Sequence, residues 1–71
     1  MKKNTNIANV GLNLMYFRKV KGLSINDVAS KLNMNSIAYA KYEKGTVNIP
    51  LNKLIAICKI LDLDLILQAN Q

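Results

Sequence analysis

The 71-residue sequence predicts a small all-α domain of four helices, followed by a short C-terminal β-strand. Apolar residues recur every three or four positions in successive segments, which is the spacing of one helix face. Gly22, Gly45 and Pro50 separate these segments, as expected of helix-ending and helix-starting residues. The hydrophobic fraction of 51% is high for so short a chain, which indicates an oligomer that buries the surplus apolar surface.

The first helix is expected to run from Ile7 to Lys21, behind a flexible basic arm formed by residues 1–5. Asn6 can cap its start, and Gly22 can end it in a left-handed conformation. Its apolar stripe consists of Ile7, Val10, Leu14 and Phe17. Basic residues in its last turn suit the negative end of the helix dipole.

Two short helices follow. Ser24 and Asp27 have the spacing of a capping box at the start of the second helix. Its expected buried face consists of Val28, Ala29 and Leu32. Asn35 is expected to cap a third helix over residues 36–44, which Gly45 ends. Tyr39 and Tyr42 are expected on its inner side. Two short helices joined by a tight turn form a helix-turn-helix.

Pro50 is expected to be the first residue of the fourth helix, because its fixed φ angle suits that position. The apolar positions of this helix are Leu51, Leu54, Ile57, Cys58 and Leu61. From Leu61 onward, leucines alternate with Asp62 and Asp64, and this period of two predicts a strand over residues 63–67. The rival interpretation, in which the fourth helix continues to Leu67, would spread these leucines around the helix.

The predicted strand has no partner strand elsewhere in the chain. Because a lone strand leaves its N–H and C=O groups unpaired, we expect it to pair antiparallel with its copy in a homodimer. The expected dimerisation residues are Leu63, Leu65, Ile66 and Leu67. The chain is thus divided into the arm at residues 1–5, a helix-turn-helix domain at 6–62 and a dimerisation tail at 63–71.

The composition argues against catalysis and against a metal site. The chain has no His, one Cys and four acidic residues, so it lacks the Ser-His or Cys-His pair of nucleophilic catalysis and the ligands of a zinc site. No cofactor is expected, and Cys58 is expected to be a small buried hydrophobe. The longest apolar run, residues 54–58, is too short to span a membrane. We expect a cytoplasmic protein.

The positive charge is concentrated at the front of the chain. The net charge is +6, and residues 1–21 carry five basic residues and no acid. A one-sided basic surface favours a polyanionic partner. A genome rich in A/T codons is an alternative source for part of the lysine content.

The helix-turn-helix segment resembles the Cro/repressor-type (XRE-like) family over residues 9–63. The resemblance depends on an ordered set of residues: Gly22-Leu23-Ser24, Ala29, Leu32, Met34, Tyr42-Glu43-Lys44-Gly45, Leu51, Leu54 and Leu61. It implies a dimeric, non-enzymatic transcriptional repressor that binds double-stranded operator DNA. In this family the third helix enters the major groove.

The resemblance assigns DNA contacts to Ser24, Ile25, Asn26, Asn35, Ser36, Ile37, Ala40, Lys41, Lys44 and Thr46. Lys41 can donate to guanine, Ser36 can pair with almost any base, and Ile37 or Ala40 can pack on a thymine methyl group. For Ile37 and Ala40, a protein-binding face is the alternative. Backbone N–H groups of residues 24–26 are expected to meet phosphates. Lys2 and Lys3 are explained equally well as a basic arm that contacts DNA and as solvated charges.

Arg18 and Glu43 match a structural ion pair of the phage repressors, although a phosphate contact is a rival role for Arg18. The apolar residues 60–67 further resemble the end of HipB-type antitoxins. That resemblance implies an antitoxin and autorepressor whose partner is a HipA-like kinase toxin. An alternative from another class is a protein-interaction module with the same fold that mainly neutralises a partner protein. A salt titration of DNA binding separates the two classes.

Overall fold

A computed structural model describes residues 7–64 of the chain, with side chains from residue 10 onward, and this part is all-helical. Its helices are α1 (Ile7–Val20), α2 (Ile25–Lys31), α3 (Ser36–Lys44) and α4 (Leu51–Ile60). Helix α1 packs against α3, α3 packs also against α2, and α2 contacts α4. The four predicted helices are confirmed. The predicted arm and the capping residue Asn6 lie outside the described residues.

The helix ends follow from local side-chain chemistry. At the start of α2, the Ser24 hydroxyl accepts a hydrogen bond from the Asp27 N–H at 2.9 Å. The Ser24 N–H in turn donates to the Asp27 carboxylate at 2.8 Å, which completes the predicted capping box. Asn35 caps α3 by accepting a backbone N–H at 2.8 Å. Gly22 and Gly45 end α1 and α3 with φ angles of 73° and 76°, which only glycine adopts without strain.

The core lies between the inner faces of the four helices. Its buried members are Leu14, Val28, Ala29, Leu32, Tyr39, Tyr42, Ile57 and Leu61. Tyr39 is fully buried and meets Tyr42 edge to face, with ring centroids 6.2 Å apart. Both tyrosines therefore lie on the inner side of α3, as predicted. Cys58 is also buried, and this burial raises the pKa of its thiol.

The predicted first residue of α4 is wrong. Pro50 precedes the helix, with a ψ angle of 146°, and Leu51 is the first helical residue. Leu51 is also 53% exposed and does not belong to the core. Each step of three residues falls about 60° short of a full helical turn. Leu51 therefore lies about 120° around the helix from the fully buried Ile57.

The chain leaves α4 through a turn. The Leu61 N–H donates to the Ile57 carbonyl at 2.9 Å, and the Leu63 N–H donates to the Cys58 carbonyl at 2.8 Å. Between them, Asp62 has a left-handed φ of 62°. Leu61 and Asp62 thus close the helix and are not part of an alternating strand. The rival interpretation of a longer fourth helix is also wrong for these residues.

Of the four predicted dimerisation residues, only Leu63 lies within the described part of the chain. Leu63 is half-buried and packs against the core, while no strand occurs within residues 7–64. The remaining dimerisation residues, Leu65, Ile66 and Leu67, lie outside the described range. Within residues 7–64, no helix has both the length and the apolar character needed to cross a lipid bilayer.

Candidate nucleic-acid interface

A buried ion pair sets the position of α3 relative to α1. The Arg18 Nε donates to Glu43 Oε2 at 2.6 Å, and its Nη2 donates to Oε1 at 3.0 Å. Its Nη1 donates to the Leu23 carbonyl at 2.8 Å, in the turn before α2. One guanidinium therefore ties three segments together, and the hydrogen bond to Glu43 raises the pKa of Arg18.

The burial of this pair limits the rival role of Arg18. Only 7% of Arg18 and 6% of Glu43 is exposed, and all three guanidinium nitrogens already donate to protein oxygens. These bonds use three of the five guanidinium N–H donors, so it is the burial of Arg18 that limits a phosphate contact. The described geometry favours a positioning role for the pair.

Gly11 lets α1 approach the backbone of α3. A Cβ at this position would overlap the carbonyl oxygens of Tyr42 and Glu43. Because glycine is costly inside a helix, its presence here is a signal that sequence inspection could have used. Gly11 and the ion pair hold the same part of α3 against α1.

The outward face of α3 carries a continuous stripe of side chains, which we call the recognition stripe: Ile37, Lys41 and Lys44. Ile37 is 74% exposed, and both lysines are exposed. Their spacing of four and three residues places them on one helix face. Neither lysine forms a salt bridge with any residue from 10 to 64. Ala40 differs, since it is half-buried and lies beside α1.

The first turns of α2 and α3 are joined by a hydrogen bond. The Ser36 hydroxyl donates to Asn26 Oδ1 at 2.7 Å. Because a hydroxyl has one proton, Ser36 keeps only its acceptor lone pairs for a base while this bond persists. Ser36 can therefore pair with fewer bases than the sequence indicated, and it favours the amino groups of adenine and cytosine.

Fewer backbone N–H groups at the start of α2 are available to a phosphate than the sequence predicted. The Ser24 N–H is engaged by the Asp27 carboxylate, so it is not available to a phosphate. The N–H groups of Ile25 and Asn26 stand in the first turn, where no intrahelical acceptor exists. Hydrogen bonds from Ser24 lower the pKa of Asp27.

Asn35 and Thr46 flank the recognition stripe and have structural contacts of their own. The Asn35 side-chain oxygen caps α3, which leaves its amide NH₂ group to face solvent. The Thr46 N–H donates to the Lys41 carbonyl at 3.2 Å, and its hydroxyl lies 3.4 Å from the same oxygen. Both residues therefore shape the ends of α3 as well as standing beside its exposed face.

A supporting helix, a tight turn and an exposed basic second helix define a helix-turn-helix domain. The chain belongs to the HTH_3 helix-turn-helix family, whose model matches residues 14–67. No curated protein matches the chain.

Two solved structures have the same fold. The clp gene regulator ClgR from C. glutamicum superposes with a TM-score of 0.79 at 19% identity, covering 87% of this chain and 80% of its own. The restriction-modification controller protein C.AhdI from Aeromonas hydrophila gives a TM-score of 0.76 at 24% identity. That match covers 82% of this chain and 84% of the controller protein. At these identities the likeness establishes the fold.

Proposed function

We propose that this chain is a sequence-specific DNA-binding transcription regulator without catalytic activity. The recognition stripe carries the proposal, because it presents an exposed Ile37 and two lysines on the second helix of a helix-turn-helix. Neither lysine forms a salt bridge within residues 10–64. The helix-turn-helix family match supports the same role. So do the two structural relatives, which are described as a gene regulator and a controller protein.

In the proposed complex, α3 lies in the major groove. Lys41 donates to a guanine edge and Ile37 packs on a thymine methyl group. Lys44 and the N–H groups at the start of α2 face phosphates, which positions the domain without selecting a sequence. Since only Lys41 brings a charged donor to the bases, DNA shape contributes a large share of the specificity.

We further propose a homodimer that represses by occupying a pseudo-palindromic operator. The half-sites would lie one helical turn, ~34 Å, apart. The tail at residues 63–71 would form the dimer contact, with Leu63 anchored on the core of each copy. This arrangement would also bury apolar surface that a single copy exposes.

Salt-dependent binding to a duplex selected from a random library tests the proposal. Affinity should fall steeply with salt, because each neutralised phosphate releases counterions. Lys44→Ala should reduce the slope of log K against log salt by about 1, while Lys41→Ala should cost ~1–3 kcal/mol and relax preference at one base pair. Lys59→Ala, which removes the same charge outside the proposed surface, is the matched control. Absence of DNA binding at low salt would contradict the proposal and favour the protein-interaction module.

The more specific role, antitoxin and autorepressor of a HipA-like kinase, depends on the apolar tail alone. Neither structural relative is described as an antitoxin. Co-expression with the product of the adjacent open reading frame tests this role. A stable complex with a kinase-like toxin would support it, and a neighbour unrelated to kinases would contradict it.

A further inference from the structure

A cleft opens beside the recognition stripe, between α1, α3 and the first residue of α2. Its volume is about 510 Å³, within the range of small-molecule sites. The apolar part of its lining consists of Leu12, Met15, Ile25 and Ala40. Leu12 is 55% exposed, so this apolar wall faces solvent and can be covered by a ligand.

The charge of the cleft is positive. Lys19 and Lys44 belong to its lining, and neither forms a salt bridge within residues 10–64. The only carboxylate of the lining, Glu43, is already neutralised by Arg18. An anionic ligand would compensate both lysines, whereas the basic segment at residues 1–5 would be repelled by them.

We infer that this cleft binds a small amphipathic anion, with an apolar body against Met15 and Leu12 and one carboxylate or phosphate group beside Lys19 and Lys44. The lining supplies the apolar surface and the two cations that such a molecule needs. A neutral apolar ligand would use the wall but leave both ammonium groups uncompensated.

Occupancy of the cleft is coupled to DNA binding. Ile25, Ala40 and Lys44 line the cleft and also belong to the predicted DNA contacts. A bound anion would neutralise Lys44 and lie against the helix that enters the groove, so it would lower operator affinity. This second step depends on the proposed function, while ligand binding itself does not.

Decanoate is a suitable probe because it combines a ten-carbon chain with one carboxylate. Titration of the ¹⁵N-labelled full-length protein should shift the amide signals of the cleft residues in a saturable way. Lys19→Ala should weaken this binding about tenfold, through loss of one charge-assisted contact. Met15→Gln should weaken it through loss of apolar contact. Decyltrimethylammonium, with the opposite charge, should give no saturable shifts at the cleft.

Two matched variants show whether the loss is local. Lys59→Ala removes the same charge as Lys19→Ala but lies outside the cleft, and Tyr16→Gln changes an exposed residue of α1 outside its lining. Both should bind decanoate like the wild type. An equal loss of decanoate binding in these controls, or unchanged decanoate binding in Lys19→Ala and Met15→Gln, would overturn the inference of a binding site in this cleft.

A competition experiment tests the coupling. Decanoate should lower the affinity for the selected duplex in the wild type, and about tenfold more decanoate should be needed for the same effect in Lys19→Ala. Unchanged DNA affinity with decanoate bound would overturn the coupling. If decanoate does not bind and Lys19→Ala reduces the salt slope of DNA binding, the cleft is a phosphate contact and the inference is wrong. If no duplex is bound at all, the proposed function fails while the decanoate result still stands.

Discussion

At the residue scale, Arg18 determines the position of α3 relative to α1 and to the turn before α2. Its guanidinium bonds to Glu43 on α3 and to the Leu23 carbonyl before α2. Planar, bidentate geometry distinguishes Arg from Lys in such a contact. The recognition stripe therefore depends on a side chain that lies behind it and that need not touch DNA.

Arg18→Ala should destabilise the domain by ~3–5 kcal/mol, because it leaves the buried Glu43 carboxylate without its partner. Urea unfolding of Arg18→Ala, Glu43→Ala and the double variant measures the coupling. The double variant should be less destabilised than the sum of the single variants. Additive effects would contradict a specific interaction between the two side chains.

Tyr39 is a buried residue whose hydroxyl has no hydrogen-bond partner among the described residues. Burial raises the pKa of this phenol, and the nearby Glu43 carboxylate raises it further, although the two groups do not meet hydrogen-bond geometry. The folded state therefore disfavours the phenolate. Its contribution to stability is complete below pH 10, the ordinary pKa of a tyrosine, and is lost as the pH rises above that value.

Tyr39→Phe should be neutral or stabilising at pH 7, within about 1 kcal/mol, because no hydrogen bond is lost when the hydroxyl is removed. Thermal unfolding at pH 7 and at pH 11 checks both expectations. The variant should lose less stability than the wild type on going to pH 11. Strong destabilisation at pH 7 would show that the hydroxyl is hydrogen-bonded in solution.

At the element scale, the contact between α1 and α3 depends on the missing side chain of Gly11. Gly11→Ala should destabilise the domain by ~1–3 kcal/mol, since overpacking against backbone carbonyls forces the helices apart. This loss exceeds the ~1 kcal/mol that alanine gains in helix propensity. Asn13→Ala, at an exposed position of α1, is the control and should be neutral or stabilising. A stabilised Gly11→Ala variant would contradict the close contact.

The capping box of α2 predicts that the stability of the folded state decreases at acidic pH. The pKa of Asp27 is lowered by its hydrogen bonds with Ser24, so the ionised carboxylate stabilises the folded state. This contribution is complete above the ordinary value of 3.8 and disappears as the pH falls through the lower folded-state pKa. Asp27→Asn should therefore lose less stability than the wild type between pH 7 and pH 2. Parallel curves for the two proteins in chemical denaturation would contradict this expectation.

At the scale of the whole molecule, a single copy of the chain leaves several large apolar side chains exposed to solvent. Leu12, Tyr16 and Val20 are each more than half exposed on α1, as is Leu51 on α4. Leu63, by contrast, already packs against the core. A truncation that tests the tail should therefore keep Leu63 and remove only the residues that follow Asp64.

The chain truncated after Asp64 should be a folded monomer with lower operator affinity, if residues 65–71 form the dimer contact. Light scattering gives the mass, and circular dichroism checks that the four helices remain. The full-length chain should be a dimer under the same conditions. A truncated protein that is still dimeric with unchanged operator affinity would contradict the tail contact.

The helices and their ends were predictable because their causes are local. Ser24, Asp27 and Asn35 bond to backbone groups within three residues, and Gly45 provides the left-handed angle that ends α3. The expectation that failed, Pro50 as the first residue of α4, is a one-residue shift of a helix boundary. The exposure of Leu51 depends on how α4 packs against the neighbouring helices.

The sequence by itself determined four helices, the caps of α2 and α3, an apolar core and an exposed, basic α3, because periodicity, capping and glycine conformation act over a few residues. Tertiary structure alone decided the approach of α1 to α3 at Gly11, the half-buried position of Ala40 and the bond that engages the Ser36 hydroxyl. These features join segments far apart in the chain, as Arg18 and Glu43 do across 25 positions. They depend on the angle and distance at which helices pack, which no local pattern encodes.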